Sequence, residues 1–320
     1  MPDILISENV RGEAVDALAT RFEVISRPDL WKDQTALLAC IPDFRALIVR
    51  NQTQVNRPLL EAAKKMMVVG RAGVGLDNVD VAAATEAGIL ITSTPDQNAI
   101  SVAELAIGLM LSLARMIPTA AEDTRAGNWN RQRFLGTELY GKTFGIIGAG
   151  KIGYLTARRA QAFGMKILAY DPFLSRDNVM LSELLAELVS LDDLLTRADV
   201  VSCHLPSTPQ TAGLLNAALF ARMKPSAIFI NTSRGEVVVE RDLAAALKNG
   251  TIAGAALDVR ATEPPQPGDL EQIPNLILLP HIAALTHEAQ RRVTRAICED
   301  VARVLEGQIP QNAVNRIAPG

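Results

Sequence analysis

Short apolar runs alternate with segments of helical spacing from the first residues onward. Residues 4–6, 46–49, 67–70 and 89–91 are short, mostly apolar runs, and 12–19 and 81–86 carry helical spacing between them. Strands buried on both faces read as continuous apolar runs, and their alternation with helices predicts βαβ units and a parallel sheet. A long helix is predicted from Ser101 to about Ile117, opened by a capping box of Ser101 and Glu104 and stopped before Pro118. A polar, arginine-rich connection over 125–133, containing Trp129, is expected to follow.

At Lys142 the pattern restarts. An apolar run at 144–147 leads into a glycine turn and a helix, and 166–170 ends at Asp171. Further strands are predicted at 200–203, 227–230, 253–257 and 276–279, and a closing helix over 286–305. Pro264, Pro265 and Pro267 mark a stiff surface turn. The expected fold is α/β: two Rossmann-like or flavodoxin-like domains with parallel sheets and an interdomain cleft. One domain is expected from 1–99 plus 288–320 and the other from 100–287, with hinge sites near Ser101 and Thr286.

A chain of 320 residues fits two domains, and 48% hydrophobic residues suffice for two cores. The formal charge of −3 argues against nucleic acid as a partner. Cys40, Cys203 and Cys298 are scattered and odd in number, so no disulfide framework and no metal site are expected, and a reducing, cytoplasmic setting fits. No signal peptide is read at the start. The most apolar helical stretch, 105–114, is too short to span a bilayer, so no membrane partner is expected.

Gly148-Ala149-Gly150-Lys151-Ile152-Gly153 fits G-x-G-x-x-G. The pattern alone is weak. Here it follows a strand and opens a helix, and Asp171 stands 18 residues beyond the last glycine, at the end of the next strand. Gly148 permits the turn, Gly150 admits a pyrophosphate to the backbone, and Gly153 lets helix and strand pack closely. The helix start at Lys151 and Ile152 offers free N–H groups to phosphate. Asp171 should accept from the adenosine ribose hydroxyls and repel a 2′-phosphate, so NAD is the expected cofactor.

Three histidines occur, His204, His281 and His287. His281 follows an apolar strand, and ligands of open α/β sheets bind beyond the carboxyl ends of strands. Arg234 also stands just past a buried strand, where a guanidinium is costly without an anion; a substrate carboxylate would match its fork. Glu263 lies on the stiffened loop after Asp258. Hydride transfer to a carbonyl needs a proton donor, and a histidine paired with a carboxylate supplies one. Spacing alone leaves equally open that these three stand on unconnected surface loops.

Taken together these segments resemble the D-isomer-specific 2-hydroxyacid dehydrogenase family over nearly the whole chain. The resemblance is carried by the glycine fingerprint with Asp171, His204-Leu205-Pro206, Asn231-Thr232-Ser233-Arg234-Gly235, Leu257-Asp258-Val259, Glu263-Pro264 and Pro280-His281. It implies an NAD-dependent oxidoreductase in which Arg234 anchors the substrate, His281 is the acid/base and Glu263 its partner. It also implies cofactor contacts at His204, Pro206, Thr211, Thr232, Ser233, Arg234, Asp258 and His281. The backbone of Ala72, Gly73, Val74 and Gly75 is implied to hold the substrate carboxylate.

Residues 47–50, 69–80 and 134–139 are most similar to members that act on 3-phosphoglycerate, with Arg50 and Arg71 at positions facing its distal anionic group. The regulatory domains of longer members, and serine feedback through them, are not expected. The turn Ile282-Ala283-Ala284-Leu285-Thr286 departs from the glycine- and serine-containing turn common in those members. Glyoxylate, hydroxypyruvate or another anionic 2-hydroxy acid, such as a sulfonated one, are therefore alternatives. A remoter alternative is an NAD-sensing corepressor-like binding protein. The helix from Ser101 is expected to pack against a second copy in a homodimer, as in relatives.

Overall fold

The computed structural model describes residues 2–175 and 177–317. It divides into two compact units, Met1–Asn98 with Leu285–Gly320, and Ala99–Ala284.

The first unit carries β1 (Ile4–Ile6), β2 (Val24–Ser26), β3 (Ala46–Val49), β4 (Val68–Arg71) and β5 (Leu90–Thr92), all parallel, in the order β2-β1-β3-β4-β5. Side chains alternate across a strand, so each apolar run feeds two cores. Leu5, Leu47 and Val49 face one core with Leu59 and Ile91. Ile4, Ile6 and Ile48 face the other, against Val293, Ile297 and Val301 of the helix His287–Leu305. That helix opens on Thr286, whose hydroxyl accepts from the Ala289 N–H at 3.1 Å.

The second unit carries β6 (Thr143–Ile147), β7 (Lys166–Tyr170), β8 (Glu187–Leu188), β9 (Val200–Cys203), β10 (Ile228–Asn231), β11 (Gly254–Leu257) and β12 (Leu276–Leu278). Their order is β12-β11-β10-β9-β6-β7-β8, also parallel. The strand order reverses between β6 and β9, and the crevice beyond the carboxyl ends at such a reversal is where α/β sheets bind ligands. Both sheets agree with the expected α/β class.

Three local expectations are corrected. The helix beginning near residue 101 spans Ala99–Ala114, so Ser101 and Glu104 lie inside it and form no capping box. Pro118 does not stop that helix. Met116, at φ 50°, breaks the chain, and Pro118 sits in the first turn of a second helix, Ile117–Arg125, bent by 61° from the first. Proline suits that position because its missing N–H would have no intrahelical partner there. Strand β2 adds to the expected set; Val24-Ile25-Ser26 is short and follows a helix without a glycine or proline signal.

The helix Ala99–Ala114 spends its apolar side on its own unit: Ala106, Ile107 and Met110 pack with Phe144, Ile146 and Ile230. Among the described residues no single helix is long and apolar enough to cross a membrane; the bent pair passes that test only together.

Candidate active site

The glycine turn leaves β6 at the strand reversal. Gly148 has φ +91°, and a Cβ there would stand 2.8 Å from the His204 carbonyl oxygen beyond β9. At Gly153 a Cβ would stand 2.2 Å from the Gly148 oxygen, so any other residue would push the helix Lys151–Ala162 off the strand. Gly150 differs: a Cβ there would meet nothing within 4 Å. Its lack of a side chain keeps open the space in front of the helix start, where no side chain caps Lys151 and Ile152. This is a cradle for an anion at a helix N-terminus.

Asp171 borders that cradle. Its carboxylate accepts from the Ala149 N–H at 3.0 Å and from the Phe173 N–H at 2.9 Å. A carboxylate has roughly four lone-pair sites, so about two remain for ribose hydroxyls. Two buried polar atoms beyond β9 and β10, His204 Nδ1 and Thr232 Oγ1, have no hydrogen-bond partner among the described residues. Buried polar groups in proteins are nearly always paired, so these two fit a site that receives a polar ligand. His204 Nε2 lies 2.9 Å from Ser202 Oγ, and burial pushes its imidazole down to about 4, so it is neutral near pH 7. Thr211 closes the following loop on itself, donating to the Pro206 oxygen at 2.6 Å.

The candidate acid/base group lies among three loops, those after β10, β11 and β12. The His281 N–H donates to the Asp258 oxygen at 2.7 Å, and His281 takes φ 55°. The buried Asp258 carboxylate then accepts from the Ile282 and Ala283 N–H groups, both at 2.8 Å. Burial raises the Asp258 carboxyl, against the opposing pull of those two bonds and of His281. Asp258, expected at the cofactor, thus has both oxygens engaged in fixing the turn that carries His281.

His281 Nδ1 lies 2.7 Å from Glu263 Oε2. A carboxylate only accepts, so Nδ1 carries the proton and Nε2 is the nitrogen left to exchange one. The other oxygen, Glu263 Oε1, accepts from the Arg260 N–H at 3.0 Å. Burial raises the Glu263 carboxyl, but bonds from His281 and Arg260 and the charges of His281 and Arg234 outweigh it and hold it below the ordinary value.

Arg234 stands at the end of a turn built by buried Asn231, which donates to the Arg234 oxygen at 2.8 Å and accepts from Ser233 N–H and Oγ at 3.0 and 2.7 Å. Next to it, a Cβ on Gly235 would lie 1.9 Å from the Arg260 carbonyl carbon. That close approach seats Arg234 against the loop bearing Glu263. The structure therefore brings Arg234, Glu263 and His281 together.

Sequence reasoning missed the support of that loop. The Arg260 guanidinium, 10% exposed, meets Glu240 through Nε and Nη2, both at 3.0 Å, and Glu271 at 2.8 Å. Glu240 also accepts from the Ala261 N–H at 2.9 Å. No local motif marks these three residues; their pairing appears only once the chain is folded.

In the first unit, Arg71 ends β4 and folds back over its own loop: a Cβ on Gly73, which has φ +152°, would stand 1.5 Å from Arg71 Nη1. The N–H groups expected to hold a carboxylate are not all available. Ala72 donates to the Val49 oxygen and Gly73 to the Arg71 oxygen, both at 2.8 Å. Among the described residues, Val74 and Gly75 remain as backbone donors without an acceptor. Arg50 instead lines a cavity of about 340 Å³ with Glu8, Asn9, Arg11, Trp31 and Gln52, beyond the ends of β1, β2 and β3. Among the described residues its guanidinium makes one hydrogen bond, Nη1 to the Asn9 oxygen at 3.4 Å. Burial lowers the Arg50 pKa and Glu8 opposes the shift.

The D-isomer specific 2-hydroxyacid dehydrogenase NAD binding domain matches residues 107–283. The chain belongs to this family, and its cofactor is NAD. The TT0316 protein from Thermus thermophilus is similar in structure with a TM-score of 0.91 and 34% identity, over 98% of this chain and 100% of that one. A glyoxylate reductase from Paecilomyes thermophila is similar at a TM-score of 0.86 and 31% identity, over 98% and 99%. The D-3-phosphoglycerate dehydrogenase of Methanocaldococcus jannaschii is 43% identical over 316 residues, which are 98% of this chain and 60% of that protein. The chain thus spans about 60% of the length of that curated relative.

Proposed function

We propose that this chain is an NAD-dependent dehydrogenase that interconverts 3-phosphoglycerate and 3-phosphohydroxypyruvate. The observation that carries the reaction class is the assembly of Arg234, Glu263 and His281 at the carboxyl edge of the NAD-binding sheet. His281 Nε2 takes the proton of the C2 hydroxyl as the hydride leaves C2, and returns it in reduction. Glu263 accepts from Nδ1 at the other edge of the imidazole and holds the ring with Nε2 free. Arg234 takes the substrate carboxylate and polarises the C2 oxygen. Bound NAD supplies the hydride acceptor. Asp171 selects NAD over NADP by repelling a 2′-phosphate.

In this reading Met1–Asn98 with Leu285–Gly320 is the substrate unit. Val74 and Gly75 offer N–H groups to the carboxylate, and Arg50 and Arg71 serve the distal phosphate. The supporting observation for an anionic tail is a partly buried Arg50 facing a cavity, with one 3.4 Å contact. A second reading, a reductase of glyoxylate or hydroxypyruvate, is favoured by Arg71 lying over Gly73 rather than lining the Arg50 cavity. Turnover of NADH with 3-phosphohydroxypyruvate, hydroxypyruvate and glyoxylate separates the two. A preference for the phosphorylated acid supports the first, and a preference for the uncharged tails supports the second.

We further propose a homodimer in a reducing, cytoplasmic setting. Trp129, Leu135 and Tyr140 are 77–83% exposed within one short stretch, as suits a surface awaiting a second copy. The three cysteines are free thiols. Light scattering on the purified protein tests the dimer; a monomer at micromolar concentration would refute it.

A further inference from the structure

Resting on the role proposed for Arg50, we infer that Glu8 and Asn78 are positioning residues for the recognition of the substrate's distal anionic group. The turn from Arg50 to Thr53 leaves β3 where the order of the first sheet reverses, between β1 and β3. Buried Glu8, just after β1, accepts three backbone N–H groups of that turn: Arg50 at 2.8 Å, Gln52 at 3.1 Å and Thr53 at 2.9 Å. On the carbonyl side, Asn78 Nδ2 donates to the Arg50 oxygen at 3.0 Å and the Thr53 oxygen at 2.7 Å. The Ser7 and Thr53 hydroxyls, 2.8 Å apart, tie the same turn to β1.

Two side chains from distant parts of the sequence thus grip both polar edges of one short turn. The Arg50 backbone is held at its N–H and at its oxygen, while its guanidinium has a single long contact among the described residues. Such an arrangement fixes where the side chain starts and leaves its head to a ligand. The same cavity is lined by a second guanidinium, Arg11, and by the carboxylates of Glu8 and of Asp29, which Lys32 Nζ holds at 2.6 Å. Glu8 accepts from backbone N–H groups rather than from either guanidinium, and its negative charge stays beside Arg50.

Glu8→Gln separates positioning from charge by sign. Removing a negative charge beside Arg50 would by Coulomb's law alone improve binding of an anion. Loss of positioning does the opposite, because the new amide turns an N–H donor toward another N–H. Steady-state kinetics with NADH should compare 3-phosphohydroxypyruvate and glyoxylate for wild type, Arg50→Ala, Glu8→Gln, Asn78→Ala and the isosteric Asn78→Asp, which also lacks the donor. Comparing the two acids on one preparation cancels differences in folded fraction. The expected result is a KM for the phosphorylated acid raised roughly 10-fold in the Glu8 and Asn78 variants, with KM for glyoxylate and kcat within about 2-fold of wild type. If Arg50→Ala shifts the ratio between the acids and the other variants do not, or Glu8→Gln lowers KM, the inference is overturned. If Arg50→Ala leaves the ratio unchanged, the role of Arg50 itself fails.

Discussion

The loops around His281 and the loops around Arg50 and Arg71 are built on different principles. In the second unit, each charged group of the proposed chemistry has a charged or backbone partner. Asp258 pins the His281 turn, Glu263 holds the ring, and Arg260 with Glu240 and Glu271 clamps the Glu263 loop. In the first unit the backbone is gripped but the Arg50 head is not. A proton-transfer group must be in place before substrate arrives, because its geometry sets the rate. A recognition group needs a fixed base and a head not already paired, so that its charge-assisted bonds are made to the arriving anion. On the proposed function, the first of these parts would serve any 2-hydroxy acid and the second would select one.

The largest expected effect breaks the first part. His281→Ala should lower kcat by roughly 10²- to 10⁴-fold, the usual worth of a positioned acid/base group. Fluorescence titration should find NADH affinity little changed; a large loss of affinity would mean that His281 serves binding instead.

Next comes the second part. Arg71→Ala should raise KM for 3-phosphohydroxypyruvate by roughly 10- to 100-fold, as expected for one or more charge-assisted contacts. Glyoxylate, which has no distal group, should barely respond. Equal losses on both acids would place Arg71 at the shared carboxylate and merge the two parts.

Glu263→Gln sharpens the comparison through orientation. The amide can turn an N–H toward His281 Nδ1 in place of an acceptor, so the ring is no longer held with Nε2 free, and kcat should fall roughly 10-fold on both acids alike. An unchanged kcat would rule out the pairing.

A smaller effect concerns His204, buried just beyond β9. Its folded-state value near 4 lies below the unfolded value of 6.5, so the unfolded chain binds more protons between these limits. The stabilisation is present above pH 6.5 and is lost as pH falls toward 4. Between pH 7 and 5 the wild type should lose roughly 2 kcal/mol more unfolding free energy than His204→Asn. Urea unfolding at the two pH values measures it; parallel losses would show that His204 is not buried neutral.

Much of the second unit was legible because its signals are local. Gly148, Gly150 and Gly153 are spaced by one turn's geometry, and Asp171 ends the next strand. The Arg234, Glu263 and His281 loops each follow an apolar run, but their meeting depends on the order β10-β11-β12 and on the Gly235 approach to Arg260. Spacing could not supply that. Arg260, Glu240 and Glu271, and the grip of Glu8 and Asn78 on the Arg50 turn, join residues 11 to 45 positions apart with no periodicity to mark them. The capping box at Ser101 failed because Ala99 and Ile100 extend the helix backward. Ser101 is buried inside the helix rather than standing at its start.

The central claim is that the family's hydride chemistry runs here on a phosphorylated acid. Its most direct test is the wild-type kcat/KM with NADH for 3-phosphohydroxypyruvate against glyoxylate, on one preparation. The account predicts a value at least about 10-fold higher for the phosphorylated acid, the worth of one charge-assisted contact. An equal or higher value for glyoxylate would contradict it.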